Sequence, residues 1–120
     1  MESGYNPDAR LSNTSQSVVS VSIPVSAGSK LMAIATGFVT TNKVGALTSS
    51  VTVTCELHLG AAGSNAIGVA EVASNVNNAS LAVTGSWSSL PAGTEMVSLN
   101  CSASGSIDLD HVTLNVWGGA

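Results

Sequence analysis

Charge is what this sequence has least of. Asp, Glu, Lys and Arg make up 8% of its 120 residues, against roughly 25% in an average soluble protein. The cations are Arg10, Lys30 and Lys43, and the net charge is -4. That inventory cannot supply the cluster of phosphate contacts that holds a nucleic acid or an anionic membrane, so neither is expected as a partner. Aromatic side chains are scarce as well: one Phe, one Tyr and two Trp. No apolar run approaches the ~20 residues of a membrane-spanning helix. The opening residues MESGYNPDARLSNTSQ lack a basic stretch followed by an apolar one, so a soluble chain is expected, made in the cytoplasm or already trimmed. Catalytic signatures are missing too. There is no Gly-rich phosphate loop, no Cys-x-x-Cys, no His-Glu-x-x-His and no Gly-x-Ser-x-Gly, so neither an enzyme nor a cofactor is expected.

What the chain does have is Ser and Thr, twenty and ten of them, in alternation with aliphatic residues. Val19, Val21 and Ile23 alternate with Ser20 and Ser22. Val51, Val53, Cys55, Leu57 and Leu59 alternate with Thr52, Thr54, Glu56 and His58. A period of two marks a strand with one dry and one wet face. It returns at Leu81 and Val83, at Val97, Leu99 and Cys101, and at Val112, Leu114 and Val116, with Ile107 and Leu109 on a shorter piece. Turn residues fall between these runs at Ser26-Ala27-Gly28, 60–65, 75–78, Pro91-Ala92-Gly93 and Ser104-Gly105-Ser106. At least seven short strands without a helical segment predict an all-β antiparallel β-sandwich or barrel. Residues 1–16 are polar, aperiodic and broken by Gly4, Pro7 and Asn13. They are expected to form an extended N-terminal arm on a sandwich domain of residues 17–120.

One strand departs from the pattern. Residues 31–39, LMAIATGFV, are apolar on both parities, and Trp117 points opposite to Val112, Leu114 and Val116. Whichever face packs into the sandwich, Met32, Ile34, Phe38 and Trp117 need a second cover. Another copy of the chain is the expected one, which makes these residues a candidate oligomer interface.

Two polar features bear on chemistry. Asp108 and Asp110 fall on one side of a strand, beside His111, and would need to meet Glu56 and His58 to hold a divalent ion. The expectation is that they solvate a sheet edge and that no metal binds. Cys55 and Cys101 share the parity of their apolar neighbours, so both point inward, as a disulfide or as a pair of buried thiols. Neither has a cation beside it to make it reactive.

The run LPAGTEMVSLNCSASGSIDLDHVTLNVWG, residues 90–118, resembles the last strands of the TNF/C1q-like jelly roll found in small actinobacterial and bacteriophage proteins. The segment SIPVSAGSKLMAIATGFVTT, residues 22–41, resembles its first half, and together the two cover about half the chain. The resemblance implies a jelly roll that trimerises about the sheet carrying the central and closing strands, with Met32, Ile34, Phe38 and Trp117 near the three-fold axis. The chain departs from the eukaryotic members in having one Phe and one Tyr where they carry an aromatic-rich core. The function expected from this is a non-enzymatic assembly subunit, such as a bacteriophage capsid decoration trimer. Its partners would be copies of itself and a major capsid or other virion protein, and it would end in the virion. The alternative is a carbohydrate- or surface-binding module of a secreted protein, with Trp87 as a stacking residue near Asn75, Asn77 and Asn78.

Overall fold

The computed structural model describes residues 1–40, 51–60, 66–74 and 78–119. Eight strands run in chain order: β1 (Glu2–Leu11), β2 (Gln16–Val25), β3 (Ser29–Thr40), β4 (Val51–Leu59), β5 (Ala66–Ser74), β6 (Asn78–Leu90), β7 (Gly93–Ala103) and β8 (Ile107–Gly119). They form two four-stranded sheets, β1-β8-β3-β6 and β2-β7-β4-β5, and every pairing is antiparallel. Strands 1, 8, 3 and 6 in one sheet and 2, 7, 4 and 5 in the other is the order of a jelly roll, in which every connection but that from β4 to β5 crosses between sheets. The expected all-β jelly-roll sandwich is the fold. Most of the turn segments expected at 60–65 and 75–78 lie outside the described residues.

The dry parity of each strand meets in the middle. Val19, Val21 and Ile23 of β2, Val97, Leu99 and Cys101 of β7, and Val53, Cys55 and Leu57 of β4 face Leu31, Ala33, Ala35 and Val39 of β3, Leu81 and Val83 of β6, and Val112, Leu114 and Val116 of β8. Each such Val, Leu or Ile contributes roughly 1.5–3 kcal/mol by leaving water. Cys55 and Cys101, register partners in β4 and β7, are joined by a disulfide inside this layer.

The arm expected over 1–16 is instead a strand for most of its length. β1 lies along the edge of its sheet beside β8, with Ala9 and Leu11 buried in the core. Its inward positions near the start carry Gly4 and Asn6 rather than aliphatic residues, which erases the alternation. Gly4 is dictated by the approach of β2, since a Cβ there would stand 2.8 Å from Val19 Cγ2. Asn6 turns its Nδ2 onto the Val18 carbonyl at 2.8 Å. Pro7 is tolerable because an edge strand has ladder positions that need no N–H.

Residues 107–119, expected as two pieces, form one strand with a change of phase. Thr36 pairs with Thr113 but Phe38 with Asp110, so β8 carries an extra residue against β3. That residue is His111, at φ 52°, and β1 matches it by placing Pro7 between the pairs Asn6–Val112 and Asp8–Asp110. Such a bulge lets Ile107 and Leu109 and then Val112, Leu114 and Val116 all point inward.

Candidate functional site

The outer face of the β1-β8-β3-β6 sheet is where the unusual residues gather. Reading across the strands, Trp117 lies beside Met32 and Ser86, then Ser3 beside Asn115, Ile34 and Thr84, then Tyr5 beside Thr113, Thr36 and Ala82. Farther along come Asp8, Asp110, Phe38 and Ser80, then Arg10, Asp108 and Thr40. The four residues expected at an oligomer interface thus share one face. Met32 and Phe38 are each 50% exposed, Ile34 and Trp117 are half-buried, and Thr36 separates Phe38 from the other three.

Three of the four aromatic side chains, Tyr5, Phe38 and Trp117, lie on this face, whereas Trp87 has the inward parity of its register partner Leu31. Tyr5 is 57% exposed, Phe38 lies open, and the core contains neither Trp. Trp87 is half-buried against the core edge, and its Nε1 is buried without a hydrogen-bond partner among the described residues. Trp87 and Trp117 line a groove of about 540 Å³ with Lys30, Met32, Ser86 and Ser88. A second groove, of about 370 Å³, opens among Thr36, Phe38, Ser80, Ala82 and His111. Met32 and Phe38 are six positions apart on β3, so the two grooves are separated by roughly 20 Å along the strand.

Between the grooves the surface is neutral and polar. Ser3 Oγ donates to Asn115 Oδ1 at 2.7 Å, Thr36 and Thr113 hydroxyls bond at 3.0 Å, and Tyr5 Oη bonds His111 Nδ1 at 2.9 Å. These pairs fix the small side chains while the larger ones remain open to a ligand.

Charge is confined to the ends. At the far end Arg10 Nε donates to Asp108 Oδ1 at 2.6 Å. Asp108 is fully buried, which corrects the expectation of an exposed residue solvating a sheet edge: β8 is an interior strand, flanked by β1 and β3. Asp8, Asp108 and Asp110 bring carboxylate oxygens within 4.8 Å of one another. Sequence reasoning misses Asp8 because residues 2–11 show no aliphatic alternation that would place it on a strand. Glu56 and His58 do not join them. They lie on β4 in the other sheet, on the wet parity opposite to Cys55 and Leu57, where His58 Nε2 meets Glu56 Oε1 at 3.2 Å. Asn75 and Asn77 lie outside the described residues.

No protein-family model matches the sequence, and no curated protein sequence does either. Among solved structures the chain is similar to TmCBM61, solved in complex with β-1,4-galactotriose, at 15% identity over 90% of this chain and 68% of that one, with a TM-score of 0.38. It is similar to CsCBM6-3 from Clostridium stercorarium in complex with cellobiose, at 14% identity over 89% and 86% of the two chains and a TM-score of 0.36. The C-terminal CBM6 of LamC from Zobellia galactanivorans matches at 16% identity over 92% and 90%, with a TM-score of 0.37. Scores this low leave function to the surface itself.

Proposed function

We propose that this chain is a non-catalytic binding module whose outer sheet face takes a neutral carbohydrate. One observation carries the reading: the core of a 120-residue domain contains no Phe or Tyr, while three of its four aromatics, Tyr5, Phe38 and Trp117, lie on one outer face. Burying an aromatic ring is among the most favourable uses of it in a core, so leaving rings half in water has a cost that a ligand would offset. A sugar ring presents an apolar C–H face and a rim of hydroxyls. Trp117, Met32 and Phe38 suit the first, and Ser86, Thr84, Asn115 and Thr113 suit the second. The neutral middle of the face selects against charged glycans. The buried disulfide fits a protein that ends in an oxidising, secreted setting.

The experiment is affinity electrophoresis and titration calorimetry against a panel of neutral polysaccharides. Wild type should be retarded by at least one, and Trp117→Ala should weaken that binding tenfold or more with an unchanged melting temperature. Absence of binding across the panel, or equal binding by Trp117→Ala, refutes the reading.

A second reading is favoured by the half-exposed Met32 and Phe38 beside Ile34: the face covers a second and third copy of the chain. That would make it a TNF/C1q-like homotrimer serving as a structural subunit, for instance a bacteriophage capsid decoration protein in the virion. Light scattering coupled to size exclusion separates the two, since a mass near the 11.9 kDa of one chain at micromolar concentration excludes the trimer.

A further inference from the structure

Two grooves share the outer face of the β1-β8-β3-β6 sheet, and both are built on β3. Trp117 and Met32 stand at one, Phe38 and His111 at the other. Met32 and Phe38 are each 50% exposed, and six residues of extended strand set them about 20 Å apart. One sugar ring fills a single groove and cannot reach the second.

The surface between the grooves is continuous with both. β6 runs beside β3, and its outward residues Ser80, Ala82, Thr84, Ser86 and Ser88 are all exposed. Ser80 and Ala82 border the Phe38 groove, Ser86 and Ser88 border the Trp117 groove, and Thr84 lies between them opposite Ile34. These side chains are short, so none rises as a wall across the path. On the other flank the Thr36–Thr113 and Ser3–Asn115 bonds tie the side chains of the floor to one another. Among the described residues, no Asp, Glu, Lys or Arg points outward on β3, β6 or β8 between Lys30 and Asp110. A row of apolar side chains thus runs parallel to a row of hydroxyls from one groove to the other. Successive rings of a sugar chain repeat the complementary pattern, each with an apolar face and hydroxyl edges.

Resting on the carbohydrate reading above, we propose that the ligand is a linear run of a neutral polysaccharide, lying along β3 and engaging both grooves at once, rather than a terminal sugar held in one. A chain already seated in one groove makes its second contact intramolecularly, so two grooves joined by one ligand exceed either alone by roughly 10²–10⁴-fold. A chain too short to span them gains nothing from the second groove. Chain length is therefore what this face discriminates.

The test uses the whole chain and oligosaccharides of cellulose, xylan, mannan, galactan and β-1,3-glucan, from disaccharide to hexasaccharide, beside soluble forms of the parent polymers. Calorimetric titration should show affinity rising about a hundredfold at the length that first spans ~20 Å, and little with further length. Phe38→Ala, which trims a half-exposed side chain, should bring the hexasaccharide down to the affinity of the disaccharide. Trp117→Ala should flatten the length dependence as well. Equal affinity of the wild type for disaccharide and hexasaccharide overturns the two-groove assignment and leaves the carbohydrate reading standing, as does a Phe38→Ala variant that keeps the full length dependence. No binding to any oligomer or polymer refutes the carbohydrate reading itself, and this proposal with it. A mass of several chains in light scattering, together with no binding, gives the face to further copies of the chain instead.

Discussion

Replacing both Cys55 and Cys101 by Ala tests how the jelly roll is held together. The bond closes a loop of 46 residues that includes β5 and β6 in full. In the chain-entropy treatment, a loop of that length restrains the unfolded state by about 4 kcal/mol at 25 °C. Both residues are fully buried, so removing two sulfur atoms adds a further ~1 kcal/mol for the small voids left behind. A loss of about 5 kcal/mol is a large share of the 5–15 kcal/mol by which domains are stable. For a chain of this length it lowers the melting temperature by roughly 15–30 °C. Urea unfolding followed by Trp fluorescence, together with calorimetry, measures it. The denaturant slope should rise as well, because the uncrosslinked unfolded chain exposes more surface. A loss below about 1 kcal/mol with an unchanged slope would refute the reasoning: the unfolded chain would then already be as compact as the bond makes it.

Gly4→Ala should cost roughly 1–3 kcal/mol, seen in urea unfolding, because its Cβ is driven into Val19 and Val21 where the first two strands cross. A neutral result would mean that β1 rides away from the core at no cost. Ile34→Asp should abolish any self-association seen by light scattering and lower solubility, by stranding a charge among apolar neighbours. Thr52→Asp, on the wet parity of β4, should do neither; equal behaviour of the two variants would show that the β3 face covers nothing.

Where strands alternate strongly, the sequence already specifies them. Val19, Val21 and Ile23 of β2, Val53, Cys55 and Leu57 of β4, and Val97, Leu99 and Cys101 of β7 alternate, and the face they turn to the core is the one that parity assigns. The grouping of Met32, Ile34, Phe38 and Trp117 on one face was legible for the same reason, since a residue of the wrong parity in a buried strand must point outward. Legibility failed where the inward residues are small or polar. Gly4 and Asn6 hide β1, and the run AIGVAEVAS has no strict alternation that would mark β5 in the sequence. With β1 went Asp8, and so the acidic cluster. The burial of Asp108 was also beyond sequence reasoning, because it depends on which strands flank β8, and strand order is a long-range property that local periodicity does not encode.

The bulge at His111 means that β8 is written in two phases, with the change falling between Asp110 and Val112. Flattening the bulge with every residue kept would put the even positions from 108 to 116 on one side, so that either both carboxylates enter the aliphatic layer or three aliphatic residues leave it. Removing residue 111 from β8 would instead leave a regular alternation with the same inward set, at the expense of the match with Pro7 on β1. Point substitutions at this position should be tolerated, with Gly the least strained at a positive φ. Position 111 acts as a spacer between two separately evolvable halves of one strand, the first carrying charge and the second facing the neutral groove.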